Sequence, residues 1–103
     1  MPDRHVEILL SAWQDLDRIS DYYLRMAGVA SAERITDKIL DTVSLLAEYP
    51  YMGSLHPDPV LAAKEFRKVL CEDYVAVYKV IGESVVYVYR IVNGRTDYPK
   101  LLK

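Results

Sequence analysis

The sequence is poor in the residues that build metal centres and cross-links. It has one cysteine, Cys71, and two histidines, His5 and His56, in 103 residues. A single thiol excludes an internal disulfide framework and a cysteine-rich zinc site. Four glycines and five prolines are too few for a disordered chain, and 51% apolar residues predict a packed core. No apolar run approaches the roughly 18 residues of a bilayer span; the longest, such as Val85 to Tyr89, suit strands. Met1-Pro2-Asp3-Arg4-His5 lacks the basic start and apolar stretch of a secretory signal, so a cytoplasmic location is expected. The length fits one domain, residues 1–103, and excludes a multidomain enzyme or a Rossmann dehydrogenase.

Catalytic signatures are also missing. The chain has no G-x-x-x-x-G-K-[ST] phosphate loop, no G-x-S-x-G elbow and no H-E-x-x-H helix. His56-Pro57-Asp58 is the only histidine–carboxylate pair in a loop, and it reads as a turn rather than a metal site. Neither a cofactor nor a metal is expected.

Charge, by contrast, is abundant and uneven. Thirteen basic and fifteen acidic residues leave a net charge of −2. Residues 1–59 carry a balance of −5 and residues 60–103 a balance of +3. Such polarity marks either one surface for a charged partner or simply the solvated acidic faces of helices.

The apolar pattern orders the elements. Val6 to Leu10 reads as a first strand. Ser11 and Gln14 have capping-box spacing, and Ala12, Leu16, Ile19, Tyr23 and Met26 form one helical stripe. Asp15, Asp17, Arg18, Asp21 and Arg25 are left for the wet side, and Gly28 is the stop. A second helix runs from about Ala30 to Glu48, with Ser31 as N-cap and Pro50 as terminator. Its stripe is Ala32, Ile35, Ile39, Val43 and Leu46. The short link predicts an antiparallel hairpin. Residues 49–64 read as a loop, and three strands follow: Glu65–Cys71, Tyr74–Ile81 and Ser84–Val92. Gly82-Glu83 suits a two-residue turn, which sets Tyr78 opposite Tyr87, Ala76 opposite Tyr89 and Val75 opposite Arg90. The face carrying Val75, Val77, Ile81, Val86, Val88 and Val92 is assigned to the helices. Tyr74, Ala76, Tyr78, Val85, Tyr87 and Tyr89 fall on a half-wet face. The fold class is α+β: a strand, an antiparallel helix hairpin and a three-stranded antiparallel meander, with the helices on one sheet face.

The candidate contact residues lie in and after the strands. Arg67 and Arg90 interrupt apolar runs, where an unpaired guanidinium is costly to bury. Each therefore serves an anionic or nucleic-acid partner, or an internal ion pair, with Asp97 or Glu65 as the candidate carboxylates. Asn93-Gly94-Arg95-Thr96-Asp97-Tyr98-Pro99 concentrates hydrogen-bonding groups on a loop leaving a rigid sheet, where function tends to sit.

The ordered set of local sequences resembles the ParE/RelE toxin superfamily of bacterial type II toxin–antitoxin modules. The matching pieces are Ser11 to Tyr23, Pro50-x-x-Gly53, Phe66-Arg67, Tyr74-x-x-x-Tyr78, and Tyr89-Arg90-Ile91-Val92-Asn93-Gly94-Arg95-x-Asp97, nearly the whole chain. The resemblance implies a growth-inhibiting toxin of a plasmid-stabilisation module, held silent by a cognate antitoxin. In the RelE-like ribosome-dependent mRNA endonuclease branch, the strand before the hairpin turn carries a catalytic arginine; here that slot holds Val75. Valine neither stabilises a phosphorane-like charge nor moves a proton. The pI of about 5.6 is also unhelpful for a protein that must neutralise RNA phosphates. The resemblance therefore favours the ParE branch, associated with binding and poisoning DNA gyrase, although Asn93 replaces that branch's usual histidine. Arg67, Arg90, Arg95, Asp97 and Tyr98 are the implied target contacts. A nuclease would instead use Arg67, Arg95 and Tyr98 at the scissile phosphate. A third alternative is an inactive module that still binds an antitoxin. Two candidate antitoxin surfaces are the tyrosine face (Tyr74, Tyr78, Tyr87, Tyr89) and the outer side of the helix hairpin. Homodimerisation is a further way to cover apolar surface.

Overall fold

A computed structural model describes residues 4–103; the Met1–Asp3 start, part of the stretch read for a signal, lies outside the described residues. Strand β1 (His5–Ile8) leads into helix α1 (Leu10–Ala27) and helix α2 (Val29–Leu45). Then come β2 (Ser54–Leu55), a short α3 (Pro59–Ala63), β3 (Arg67–Cys71), β4 (Tyr74–Ile81) and β5 (Val85–Asn93), with a 3₁₀ turn at Pro99–Leu101. The sheet order is β1-β5-β4-β3-β2. The β3-β4-β5 meander is antiparallel, whereas β1 joins β5 in parallel register, Val6 opposite Val86. Among the described residues no helix is long and apolar enough to cross a membrane.

The helix hairpin follows the predicted stripes with two corrections. Ala12, Leu16 and Ile19 of α1 are buried, and so are Ala32, Ile35, Ile39, Val43 and Leu46 along the second stripe. Met26, placed in the first stripe, is 70% exposed, and Asp15, placed on the wet side, is 4% exposed. The Ser11–Gln14 capping box does not form: Leu9 is the N-cap, without a side-chain cap bond. The Leu9 N–H is bound to the Val88 carbonyl, so β5 decides where the strand turns into the helix. Gly28 alone joins the helices at φ +92°, a conformation that costs an L side chain but not glycine. It also takes the N-cap position assigned to Ser31.

The meander departs from prediction in register and in face. Ile81 pairs with Val85, leaving a three-residue loop, Gly82 to Ser84, because the Ser84 carbonyl receives the His5 N–H of β1. A bulge then sets Tyr78 opposite Val88 but Val77 opposite Arg90, with Tyr89 the extra residue. The helix-side core takes Ala76 and Tyr78 from β4 and Val86, Val88 and Ile91 from β5. Val75, Val77 and Val92 lie in a second core with Leu61, Phe66 and Tyr98. The predicted β4 face is thus reversed. That strand is apolar at nearly every position because both of its faces are covered, so alternation does not distinguish them. The cover on the second face is α3 and the C-terminal segment, in a region read as plain loop. Asp58 caps α3, accepting from Val60 N at 2.9 Å and Leu61 N at 3.2 Å, with Pro59 in the first turn.

Candidate functional site

The tyrosines do not form one groove. Tyr78 is wholly buried under the helices, Tyr74 packs partly against that same core, and Tyr89 belongs to the opposite one. Tyr78 organises a loop instead. Its hydroxyl donates to the Pro50 carbonyl at 2.8 Å and accepts the Gly53 N–H at 3.2 Å. A Cβ on Gly53 would overlap the Lys68 carbonyl, so the Pro50-to-Gly53 bend requires glycine for space. Arg67 closes this bend, donating to the Gly53 carbonyl at 2.6 Å, with its guanidinium over the Tyr51 ring at 5.1 Å.

Arg90 is also engaged internally, and its partner is neither Asp97 nor Glu65. Its Nε and Nη2 donate to the two carboxylate oxygens of Asp15 at 2.8 and 2.9 Å. Asp15 further accepts the Ile91 N–H at 2.9 Å and Arg18 Nη1 at 3.1 Å. One carboxylate on α1 thereby satisfies the backbone beside the β5 bulge. The carboxylate bond holds the Arg90 pKa above its ordinary value, against the opposing effect of burial.

The C-terminal candidates separate into buried and exposed. Tyr98 is 7% exposed, and its hydroxyl lies 2.8 Å from His56 Nε2 with the rings edge to face. His56 Nδ1 accepts the Asp58 N–H at 3.0 Å, which puts the ring proton on Nε2, donating to Tyr98. Burial, and secondarily Lys68, push the His56 pKa below its usual value, with Asp58 opposing. The histidine's role was missed, although Asp58-Pro59 is a helix-start signal that points to α3 and its surroundings. Arg95 and Asp97 are exposed. Asn93 shapes their loop: its side chain accepts the Arg95 N–H at 2.9 Å and its carbonyl the Thr96 N–H and hydroxyl. Asp97 lies 3.7 Å from Lys100.

The nuclease set is therefore not assembled. Arg67 lies in the Tyr78–Val88 row, whereas Asn93 pairs with Tyr74 and Arg95 lies beyond it. Four residues along a strand separate those rows by about 13 Å. Val75, at the slot of the nuclease arginine, is 3% exposed within the second apolar core. Among the described residues no group of three His, Cys, Asp or Glu side chains is arranged to hold a metal ion.

Apolar side chains remain uncovered along the helix hairpin: Leu10 (71% exposed), Trp13, Leu24, Met26 and Val29. Leu24, Val29 and Ala32 line a groove there with Ser20, Glu33, Thr36 and Asp37. At the far sheet edge β2 covers only Arg67 and Lys68 of β3, and Leu70 is 66% exposed.

This architecture is shared with solved toxin–antitoxin structures. The chain is similar to one from the chromosomal ParDE system of P. aeruginosa, at 24% identity and a TM-score of 0.74, over 87% of this chain and 95% of that one. It is also similar to one from the RelBE2 toxin–antitoxin complex of Mycobacterium tuberculosis, at 17% identity and a TM-score of 0.66, over 90% and 99%. No curated protein sequence matches it significantly. Residues 6–98 match the family described as the ParE toxin of the type II toxin–antitoxin system parDE, and the chain belongs to that family.

Proposed function

We propose that this toxin arrests growth by binding and poisoning DNA gyrase in the cytoplasm, and that a cognate antitoxin silences it. The observation that carries this reading is the burial of Val75 among Leu61, Phe66, Val92 and Tyr98, where a nuclease needs a charged catalyst. Arg67, Arg90 and Tyr98 are engaged within the protein, so target contact falls to the exposed Arg95–Asp97 loop. The uncovered apolar side of the helix hairpin supplies the antitoxin surface, consistent with the toxin–antitoxin neighbours.

The test is induced expression without antitoxin, read on one culture by plasmid supercoiling, DNA breaks and primer extension on abundant transcripts. Relaxed or broken DNA with intact transcripts is expected, and Arg95→Ala should weaken arrest without loss of the fold. Cut transcripts with normal DNA would replace this reading with an RNA endonuclease. No arrest at all would leave an antitoxin-binding module.

A further inference from the structure

Where the second half of α1 meets the β3–β4 turn, the protein leaves a cleft of about 420 Å³, lined by Tyr22, Tyr23, Asp73, Tyr74 and Asn93. Tyr22 and Tyr23 meet edge to face, with ring centroids 5.5 Å apart and planes at 83°. Tyr22 is 53% exposed, so ring surface faces solvent. The cleft contains a carboxylate and no cation. Of the two acids on the turn, Glu72 is paired with Lys38 at 2.7 Å, whereas Asp73 is exposed and has no ion-pair partner among the described residues. Burial pushes the Tyr74 phenol up to about 12, and Tyr23, Tyr22 and Asp73 add to the rise.

Aromatic rings present a negative face, and a carboxylate beside them completes a receptor for a cation. A guanidinium fits this set best. It is planar, stacks on tyrosine, and offers a fork of N–H donors to a carboxylate. A quaternary ammonium would use the rings but leave Asp73 without a donor. We propose that this cleft receives an arginine side chain presented by a bound partner polypeptide. The partner reading supplies only the source of that arginine; the cation chemistry stands or falls separately.

The test is a titration of the full chain with N-acetyl-arginine-amide, followed by the tyrosine ring signals in NMR spectra. Saturable shifts confined to Tyr22, Tyr23 and Tyr74 are expected. N-acetyl-citrulline-amide, the neutral isostere, should bind at least about tenfold more weakly. Asp73→Asn should weaken the arginine probe about tenfold and Tyr22→Ala about fivefold, while Glu72→Gln leaves it unchanged. Equal binding of the citrulline probe, indifference to Asp73→Asn, or no saturation by about 100 mM would overturn the proposal. Choline binding as tightly as the arginine probe would overturn it in favour of a free quaternary ammonium. These outcomes are independent of growth arrest, so failure here is distinguishable from failure of the toxin reading.

Discussion

Removing the Asp15 carboxylate tests the internal account of Arg90. Asp15 is 4% exposed and receives four hydrogen bonds, two from Arg90, one from the Ile91 N–H and one from Arg18. Asp15→Ala strands the Arg90 guanidinium and leaves the Ile91 N–H beside the bulge without its acceptor. Breaking a buried pair costs about 3–5 kcal/mol. The Arg90 side chain is 22% exposed, so water recovers part of the loss and about 2–4 kcal/mol is expected. For a chain of this length each kcal/mol lowers the melting temperature by about 4–8 °C. Arg90→Ala leaves the more deeply buried partner charged, with the Ile91 and Arg18 bonds still in place. Urea denaturation of both single variants and the double variant completes a cycle, with an expected coupling of about 1.5 kcal/mol or more. A cost below 1 kcal/mol for Asp15→Ala, or no coupling, would refute the structural role and return Arg90 to the target-contact candidates.

The other predictions concern the loop, the linker, the valine slot and pH. Tyr78→Phe removes the hydroxyl shared by Pro50 and Gly53 and should cost about 1–3 kcal/mol by denaturation, with increased proteolysis of the 50–53 bend. Gly28→Ala should cost about 1–3 kcal/mol from backbone strain alone, because the φ +92°, ψ 175° conformation is one that only glycine adopts freely and a Cβ there meets no atom within 4 Å. A larger loss would mean that the helices shift. Val75→Arg should destabilise the chain by about 3 kcal/mol or more rather than restore a nuclease; a stable variant that cuts transcripts would contradict that. The His56 pKa is lowered by burial, with Lys68 second, so in the folded chain it lies below the unfolded value of about 6.5. Its contribution is complete above pH 6.5 and is lost as pH falls from there through the folded value, because the unfolded chain binds the extra proton. Urea midpoints for wild type and His56→Gln should therefore converge as pH falls below about 6.5; a constant difference between the two would argue against the neutral ring.

What was legible in the sequence follows from how many sides of each element are covered. The α2 stripe from Ala32 to Leu46 is covered on one side only, and its period identified every buried position. β4 is covered on both sides, so its alternation carried no information and its tyrosines were turned the wrong way. A buried Tyr78 depends on two acceptor–donor partners in a distant loop, which no local pattern reveals. Asp15 was more accessible than its assignment suggests. It stands three residues after Ala12 and four before Ile19, on the apolar face of α1, where an acidic residue implies a buried cation. The candidate site was legible as residue types near the C-terminus. Which of them stay free depended on the Asp15, Gly53 and His56 partners, all distant in sequence.

The extra residue at Tyr89 makes β5 two half-strands of opposite parity. Before it, Val86 and Val88 face the helices; after it, Ile91 does so and Val92 faces away. Were Tyr89 drawn into the ladder opposite Val77, every later residue would be inverted, turning Val92 towards α1 and withdrawing the Ile91 N–H from Asp15; deleting Tyr89 instead leaves Val77 opposite Arg90 and Ala76 opposite Ile91 in an unbroken ladder with the same faces. Replacing Tyr89 with another half-buried residue would leave that arrangement in place. In this strand the pairing of Ala76 with Ile91, and not the identity of the side chain at the bulge, sets the orientation in which the Arg95 loop leaves the sheet.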